Sequence, residues 1–200
     1  GPTAVGKTAL AIQLAKHFQT EIVSADSRQI YRELEIGTAK PSAEELSQIK
    51  HHFINSHSIH DGYNAGAYGR DALVLINSLF ERYSNLILCG GSGLYVRAVL
   101  EGFDEMPPVP EGIREQINKE YEANGLAWLQ AQVKQVDPEY FEEVDIQNPH
   151  RLIRALELNR AWQKPMHELR KKKKLKHSFQ VIKIGIELNR EDIYKRIDAR

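Results

Sequence analysis

The sequence predicts an α/β protein: a P-loop-containing parallel sheet core flanked by helices, with an all-helical insertion domain. Three observations predict it. Residues 1–8 (GPTAVGKT) match G-x-x-x-x-G-K-[ST] in full and open into a helical pattern. Short apolar runs at 22–25 and 86–89 alternate with helix-length segments, the rhythm of helices packed on parallel strands. From residue 104 onward the strand signals stop, and about seventy residues read as helix. The expected division is a core of 1–103 plus 181–200 and a helical insertion at 104–180.

Taken in order, Lys7 to Phe18 reads as a helix, with Leu10, Leu14 and Phe18 four apart and Ala11 and Ala15 alongside. Ile22 to Ala25 reads as a short strand ending at Asp26, and 37–41 and 51–66 read as loops. A second helix is expected from about Ala67 to Tyr83, with Ala72, Ile76, Leu79, Phe80 and Tyr83 on one side. Leu86 to Cys89 is a buried strand breaking into GGSG. MPPVP at 106–110 is a linker; Asn124-Gly125 and Asp137-Pro138 interrupt the helical stretch. Asn148-Pro149 offers an N-cap followed by proline at the first helical position. Ile182, Ile184, Ile186 and Leu188 alternate, so the chain is expected to re-enter the sheet over 181–188.

The chain has 200 residues, 42% of them hydrophobic, with a single cysteine, Cys89. An intrachain disulfide is excluded, and a reducing cytoplasm fits. No apolar run approaches the ~18 residues of a membrane span. Basic and acidic side chains both total 27, for a net charge of zero. That zero hides a split: residues 101–149 hold 3 basic and 12 acidic side chains, and residues 150–185 hold 11 and 2. The basic stretch includes RKKKKLKH at 170–177, which reads either as a solvated loop or as a surface for phosphates. The acidic stretch is either solvated or folded back on the basic one.

The chemistry starts at the first loop. Gly1 and Gly6 let the backbone curl so that its N–H groups face an anion, Lys7 adds a full charge, and the Thr8 hydroxyl can ligate Mg²⁺. Gly1, Pro2, Thr3, Ala4, Val5, Gly6, Lys7 and Thr8 are therefore the candidate polyphosphate-binding residues. Such a loop normally follows a strand, so the chain is expected to lack its first strand. The apolar strand ending in Asp that completes nucleotide hydrolases is absent, since 86–89 runs into Gly90-Gly91. Asp26 stands at the end of the other strand, at the sheet edge where the loop also lies. It reads equally well as a functional carboxylate and as a cap on the turn that follows. His51, His52, His57 and His60 lack metal-ligand spacing and read as structural or exposed.

GPTAVGKT, SADSRQIY (24–31), IGTAKP (36–41), GGSGLY (90–95) and NPHRLIRALE (148–157) come in an order and spacing that resembles the tRNA dimethylallyltransferase (isopentenyltransferase) family along the whole chain. The resemblance implies transfer of a dimethylallyl group from dimethylallyl diphosphate to N6 of adenosine 37, next to the tRNA anticodon. It implies Mg²⁺ as cofactor, tRNA (its anticodon stem-loop) and dimethylallyl diphosphate as partners, and a monomeric cytoplasmic enzyme. Asp26 then takes the amine proton, Lys7, Thr8 and Arg200 serve the diphosphate, and Thr8 holds the metal. Asp26, Ser27, Arg28, Gln29, Ser92, Arg114, His150, Arg151, Leu152, Ile153 and Arg154 fall on tRNA-contacting positions. Ser92 stands where the family usually has Thr, and His150 where it usually has Gln. The competing readings are a nucleotide kinase, a noncatalytic RNA-binding module, and a prenyltransferase acting on free adenine nucleotides.

Overall fold

The computed structural model describes residues 1–104, 106–170 and 175–199. Along the chain run α1 (Lys7–His17), β1 (Ile22–Ser24), α2 (Ala43–Gln48), β2 (His51–His52), α3 (Ala65–Phe80), β3 (Ile87–Cys89) and α4 (Gly93–Leu100). Then come α5 (Ile113–Val136), α6 (Pro138–Glu143), α7 (Pro149–Trp162), α8 (Met166–Leu169) and α9 (Arg190–Asp198). Two compact units result: Gly1–Phe103 with Lys174–Arg200, and Asp104–Lys173.

The first unit is an α/β fold with a small parallel sheet flanked by helices. β1 is central, in the order β2-β1-β3, and both pairings are parallel. In register, Ile22 faces His51 and Ile87, Val23 faces His52 and Leu88, and Ser24 faces Cys89. Parallel pairing brings the carboxyl ends of β1 and β3 together, so Asp26 and Gly90-Gly91 emerge on one edge. The face of α1 against the sheet is Ala11, Ile12 and Ala15, whereas Phe18 is exposed. Small alanines, not the Leu10–Leu14–Phe18 row, let this helix lie close to β1. Asn64 caps α3 by accepting the N–H groups of Gly66 and Ala67. Gly69 of α3 sits so near Ala98 of α4 that a Cβ there would lie 2.9 Å from the Ala98 methyl. Tyr68 is fully buried between them, stacked on Tyr95 and donating to the Ser24 carbonyl at 2.9 Å.

Three expectations change. Residues 51–66 do not form one loop, because His51–His52 is a strand. His52 Nε2 lies 2.6 Å from the buried Glu21 carboxylate, a structural contact. Residues 181–188 form no strand: Ile182 and Ile184 stay 78% and 65% exposed, so their alternating face meets neither a ladder nor a covering surface. The Ile186 carbonyl lies instead against Gly1, where a Cβ would be 2.5 Å away. Residues 175–180 belong with the first unit, since Phe179 packs on Phe80 and His177 Nε2 reaches the Leu100 carbonyl at 2.9 Å.

The second unit is helical. Its core is Ile117, Leu129 and Val133 of α5, Tyr140 of α6, and Leu152, Ile153, Ala155, Leu156 and Leu158 of α7. The Asn124-Gly125 signal proves to be a kink within α5, with Gly125 at φ 76° and ψ −176°. Asp137 caps α6 by accepting the Tyr140 N–H, with Pro138 at the first helical position. Pro149 opens α7 as expected, but the Asn148 side chain makes no capping bond. No helix among the described residues is long and apolar enough to cross a membrane.

Candidate active site

A cavity of about 790 Å³ opens at the carboxyl edge of the sheet. It is lined by residues 1–9, by Asp26, Ser27, Arg28 and Gln29, by 37–41, by 89–92, and by Arg196. Two of its walls, the glycine-bearing loop and the segment that starts at Asp26, are segments that the sequence reading singled out.

The loop owes its curl to left-handed backbone at Ala4 (φ 59°) and Gly6 (φ 99°), and Gly6 is the residue from which α1 starts. Successive N–H groups at such a turn face a common point, which the start of α1 makes more positive. Lys7 folds back over the loop, its Nζ 2.7 Å from the Pro2 carbonyl and 3.1 Å from that of Gly1. Arg196 of α9 reaches the same loop, with Nη1 3.4 Å from the Ala4 carbonyl. Sequence reasoning missed Arg196. It stands four residues before Arg200 in the sequence, and that spacing was the available signal. Arg200 itself lies outside the described residues, as do Lys171 to Lys174.

Asp26 caps the turn that follows it and lines the cavity as well. Its Oδ1 accepts the N–H groups of Arg28 (2.9 Å) and Gln29 (3.3 Å), capping the turn. Its Oδ2 makes no protein hydrogen bond among the described residues and lies beside Gly91, where a Cβ would stand 3.3 Å away. A half-buried carboxylate is thus fixed in orientation by one oxygen and leaves the other to the cavity. Gly90 is as confined: a Cβ would come within 2.1 Å of the Ala25 carbonyl. Only glycine lets the chain after β3 cross so close to the chain before Asp26.

Other selected residues prove to be supports. The Ser92 hydroxyl accepts the Ser27 N–H at 2.8 Å and donates to Ser27 Oγ at 2.9 Å, holding the Asp26 turn from the start of α4. The Gln29 amide donates to the carbonyls of Thr38 and Ala39, fastening 36–41 to the cavity rim. Arg28 is exposed at the mouth. Cys89 lines the cavity; burial pushes its thiol above the usual range, which the Lys7 charge only partly offsets.

The remaining selected residues are in the helical unit. Leu152 and Ile153 were expected to contact tRNA, but at 0% and 3% exposure they are core residues whose side chains face inward on α7. His150 and Arg151 are exposed on the same helix. Arg114 and Arg154 both bind one carboxylate that the sequence reading passed over, Glu157.

Comparison with known proteins gives a consistent answer. The family model described as IPP transferase matches residues 29–200. The chain is 46% identical over 200 residues to the tRNA dimethylallyltransferase of Christiangramia forsetii, covering all of this chain and 66% of that protein. It is 48% identical over 206 residues to that of Flavobacterium johnsoniae, covering all of this chain and 67% of the relative. The chain thus spans about two thirds of the length of these relatives. The crystal structure of the full-length tRNA isopentenylpyrophosphate transferase from Bacillus halodurans superposes with a TM-score of 0.59 at 32% identity, covering 100% of this chain and 62% of that one. A eukaryotic dimethylallyltransferase captured acting on tRNA superposes with a TM-score of 0.66 at 25% identity, over 87% of this chain and 44% of its own.

Proposed function

Because the chain belongs to the IPP transferase family, we propose that its protein transfers a dimethylallyl group from dimethylallyl diphosphate to N6 of adenosine 37 in tRNA. The observation that carries the reading is Asp26, oriented through one oxygen and open through the other, in the same cavity as an anion-cradling loop.

The chemistry follows from those two features. The C1–O bond of the allylic diphosphate breaks as N6 of the adenine bonds to C1, and the amine proton passes to Asp26 Oδ2. An exocyclic adenine amine is a poor nucleophile, so a positioned base is worth roughly 10²–10⁴ in rate. Negative charge grows on the departing diphosphate, where the loop N–H groups, Lys7 and Arg196 stabilise it most. Residues 1–8 thus act as a P-loop whose phosphates leave without being transferred. The base must leave the anticodon stack to reach Asp26.

Mg²⁺ fits the residues present. Thr8 and Asp26 line the cavity, and no group of three or more His, Cys, Asp and Glu among the described residues could hold a metal alone. Thr8 would hold the ion through its hydroxyl, an oxygen donor of the kind a hard cation takes. When bound, it supplies further charge to the leaving diphosphate. The helical unit, α5 to α8, serves as the tRNA-binding insertion, with His150, Arg151, Arg114 and Arg154 as its polar contacts.

The test offers radiolabelled dimethylallyl diphosphate to the full-length protein with unmodified tRNA or with AMP. Label in tRNA is the expected result. Label in AMP identifies a nucleotide prenyltransferase; RNA affinity without any transfer identifies a binding module.

A further inference from the structure

The helical unit contains one carboxylate that neither the fold nor the reaction explains. Glu157 lies on the core side of α7 at 2% exposure, between Leu156 and Leu158. A carboxylate taken out of water needs compensating partners. Both its oxygens have one: Oε1 is 3.3 Å from Arg114 Nη1, and Oε2 is 3.0 Å from Arg154 Nη1. Arg114 comes from the first turn of α5, and Arg154 sits three residues before Glu157 on α7. The two guanidinium side chains remain 56% and 39% exposed.

The charge balance is what calls for a ligand. One guanidinium neutralises one carboxylate, as Arg160 and Glu120 do with paired contacts of 2.6 and 3.0 Å in the same unit. At Glu157 a second arginine leaves an excess positive charge. Each guanidinium has five N–H donors, and no protein partner other than Glu157 is found for either among the described residues. Without Glu157, two like charges drawn from separate helices would have no reason to converge. With it, two partly exposed guanidiniums meet at one carboxylate with donors to spare, which suits the oxygens of a phosphodiester.

We propose that Glu157 is a positioning residue that locks Arg114 and Arg154 into a paired clamp for one backbone phosphate of the bound tRNA. The proposal deepens the function given above and rests on it.

The test compares full-length variants for tRNA affinity across salt concentrations. Glu157→Gln keeps the side-chain shape but removes the charge and one of the two acceptors, so it can no longer hold both guanidiniums. It should weaken tRNA binding about tenfold or more and flatten the slope of log affinity against log salt by about one. The loss should fall on KM for tRNA, with KM for dimethylallyl diphosphate unmoved. In an Arg114→Ala/Arg154→Ala background, adding Glu157→Gln should cost nothing more, because the carboxylate acts only through the arginines. If Glu157→Gln does not fold, Glu157→Asp decides: it keeps the charge but cannot span both guanidiniums, and should weaken binding by about threefold. Wild-type affinity and salt slope in the folded Glu157 variant, with the double arginine variant weakened, overturn the proposal and leave the arginines as independent contacts. Wild-type binding by the double arginine variant overturns it at the arginines while tRNA prenylation stands. Absence of label in tRNA from the unmodified protein defeats the underlying reading itself.

Discussion

The cavity of the first unit and the helical unit hold their cations differently. In the cavity of the first unit, Lys7 rests on the carbonyls of Gly1 and Pro2, and Arg196 on that of Ala4. In the helical unit, cations rest on carboxylates: Arg160 on Glu120, Arg114 and Arg154 on Glu157, His167 on Asp137. A neutral carbonyl is a weak partner that an incoming diphosphate can displace at little cost. A carboxylate, above all a buried one, fixes its cation in place. The cavity cations are held ready to change partners, whereas those of the helical unit are held to keep their geometry. The same contrast explains the charge split of the sequence. Part of the acidic stretch folds back on the basic one through Glu120–Arg160 and Asp137–His167.

The contrast predicts that chemistry fails only when the first unit is altered. Asp26→Ala should give the largest effect: transfer slowed by about a hundredfold or more, with tRNA affinity nearly intact. Single-turnover transfer and tRNA binding, measured on the same full-length variant, check this. A near-normal transfer rate removes Asp26 as the base. Lost tRNA affinity instead makes it a docking residue.

Gly90→Ala sharpens the comparison through stability. The added Cβ would meet the Ala25 carbonyl at 2.1 Å and its carbon at 2.3 Å, both backbone atoms of the central strand segment. β1 and β3 must part to accept it, at about 3 kcal/mol. Hydrogen exchange should then show lost protection in β1 and β3, while α5 and α7 keep theirs. Equal loss in both units would mean that they unfold as one cooperative body.

Much of this was legible in the sequence where chemistry is local. The loop spacing, the strand ending in Asp26 and the Asp137-Pro138 helix start depend on neighbouring residues, so short motifs carry them. The failures involve partners distant in the chain. Ile182 and Ile184 alternate like a strand, but alternation makes a strand only where a ladder receives it. Leu152 and Ile153 sit inside a motif otherwise rich in contact residues, and only the packing of α7 on α5 shows that they face the core. Ser92 and Gln29 are polar and near the site, as expected, yet their hydrogen bonds go to Ser27, Thr38 and Ala39. Glu157 closes the 148–157 motif and stands three residues after Arg154, a local helical pair. Its burial and its bond to Arg114, 43 residues away, come only from the packing of α7 on α5.

The smallest expected effect is a difference in pH response. In the helical unit, His167 is held above its ordinary range by the bond between its Nδ1 and the buried Asp137 carboxylate, at 2.6 Å. Desolvation opposes this, and the charges of Asp137, Glu139 and Glu168 reinforce it. The folded state therefore holds the His167 proton more tightly than the unfolded chain does. The stabilisation is complete below the ordinary histidine value of about 6.5 and is lost as pH rises through the raised one. In the first unit, burial pushes Glu21 upward, but His52, Tyr83 and Lys50 outweigh it and hold the carboxyl below its ordinary range. That stabilisation is present above about pH 4.5 and is lost on acidification. The other displaced groups of that unit titrate beyond the window too: Glu33 on the acid side, Cys89 and the raised tyrosines on the alkaline side. Between pH 6 and 8 the amides of α6 and α7 should lose exchange protection relative to those of α3 and β1, once intrinsic exchange rates are corrected. His167→Gln should remove that difference. A pH response that survives the substitution assigns it to another group and leaves the Asp137–His167 pair as a cap without a titration role.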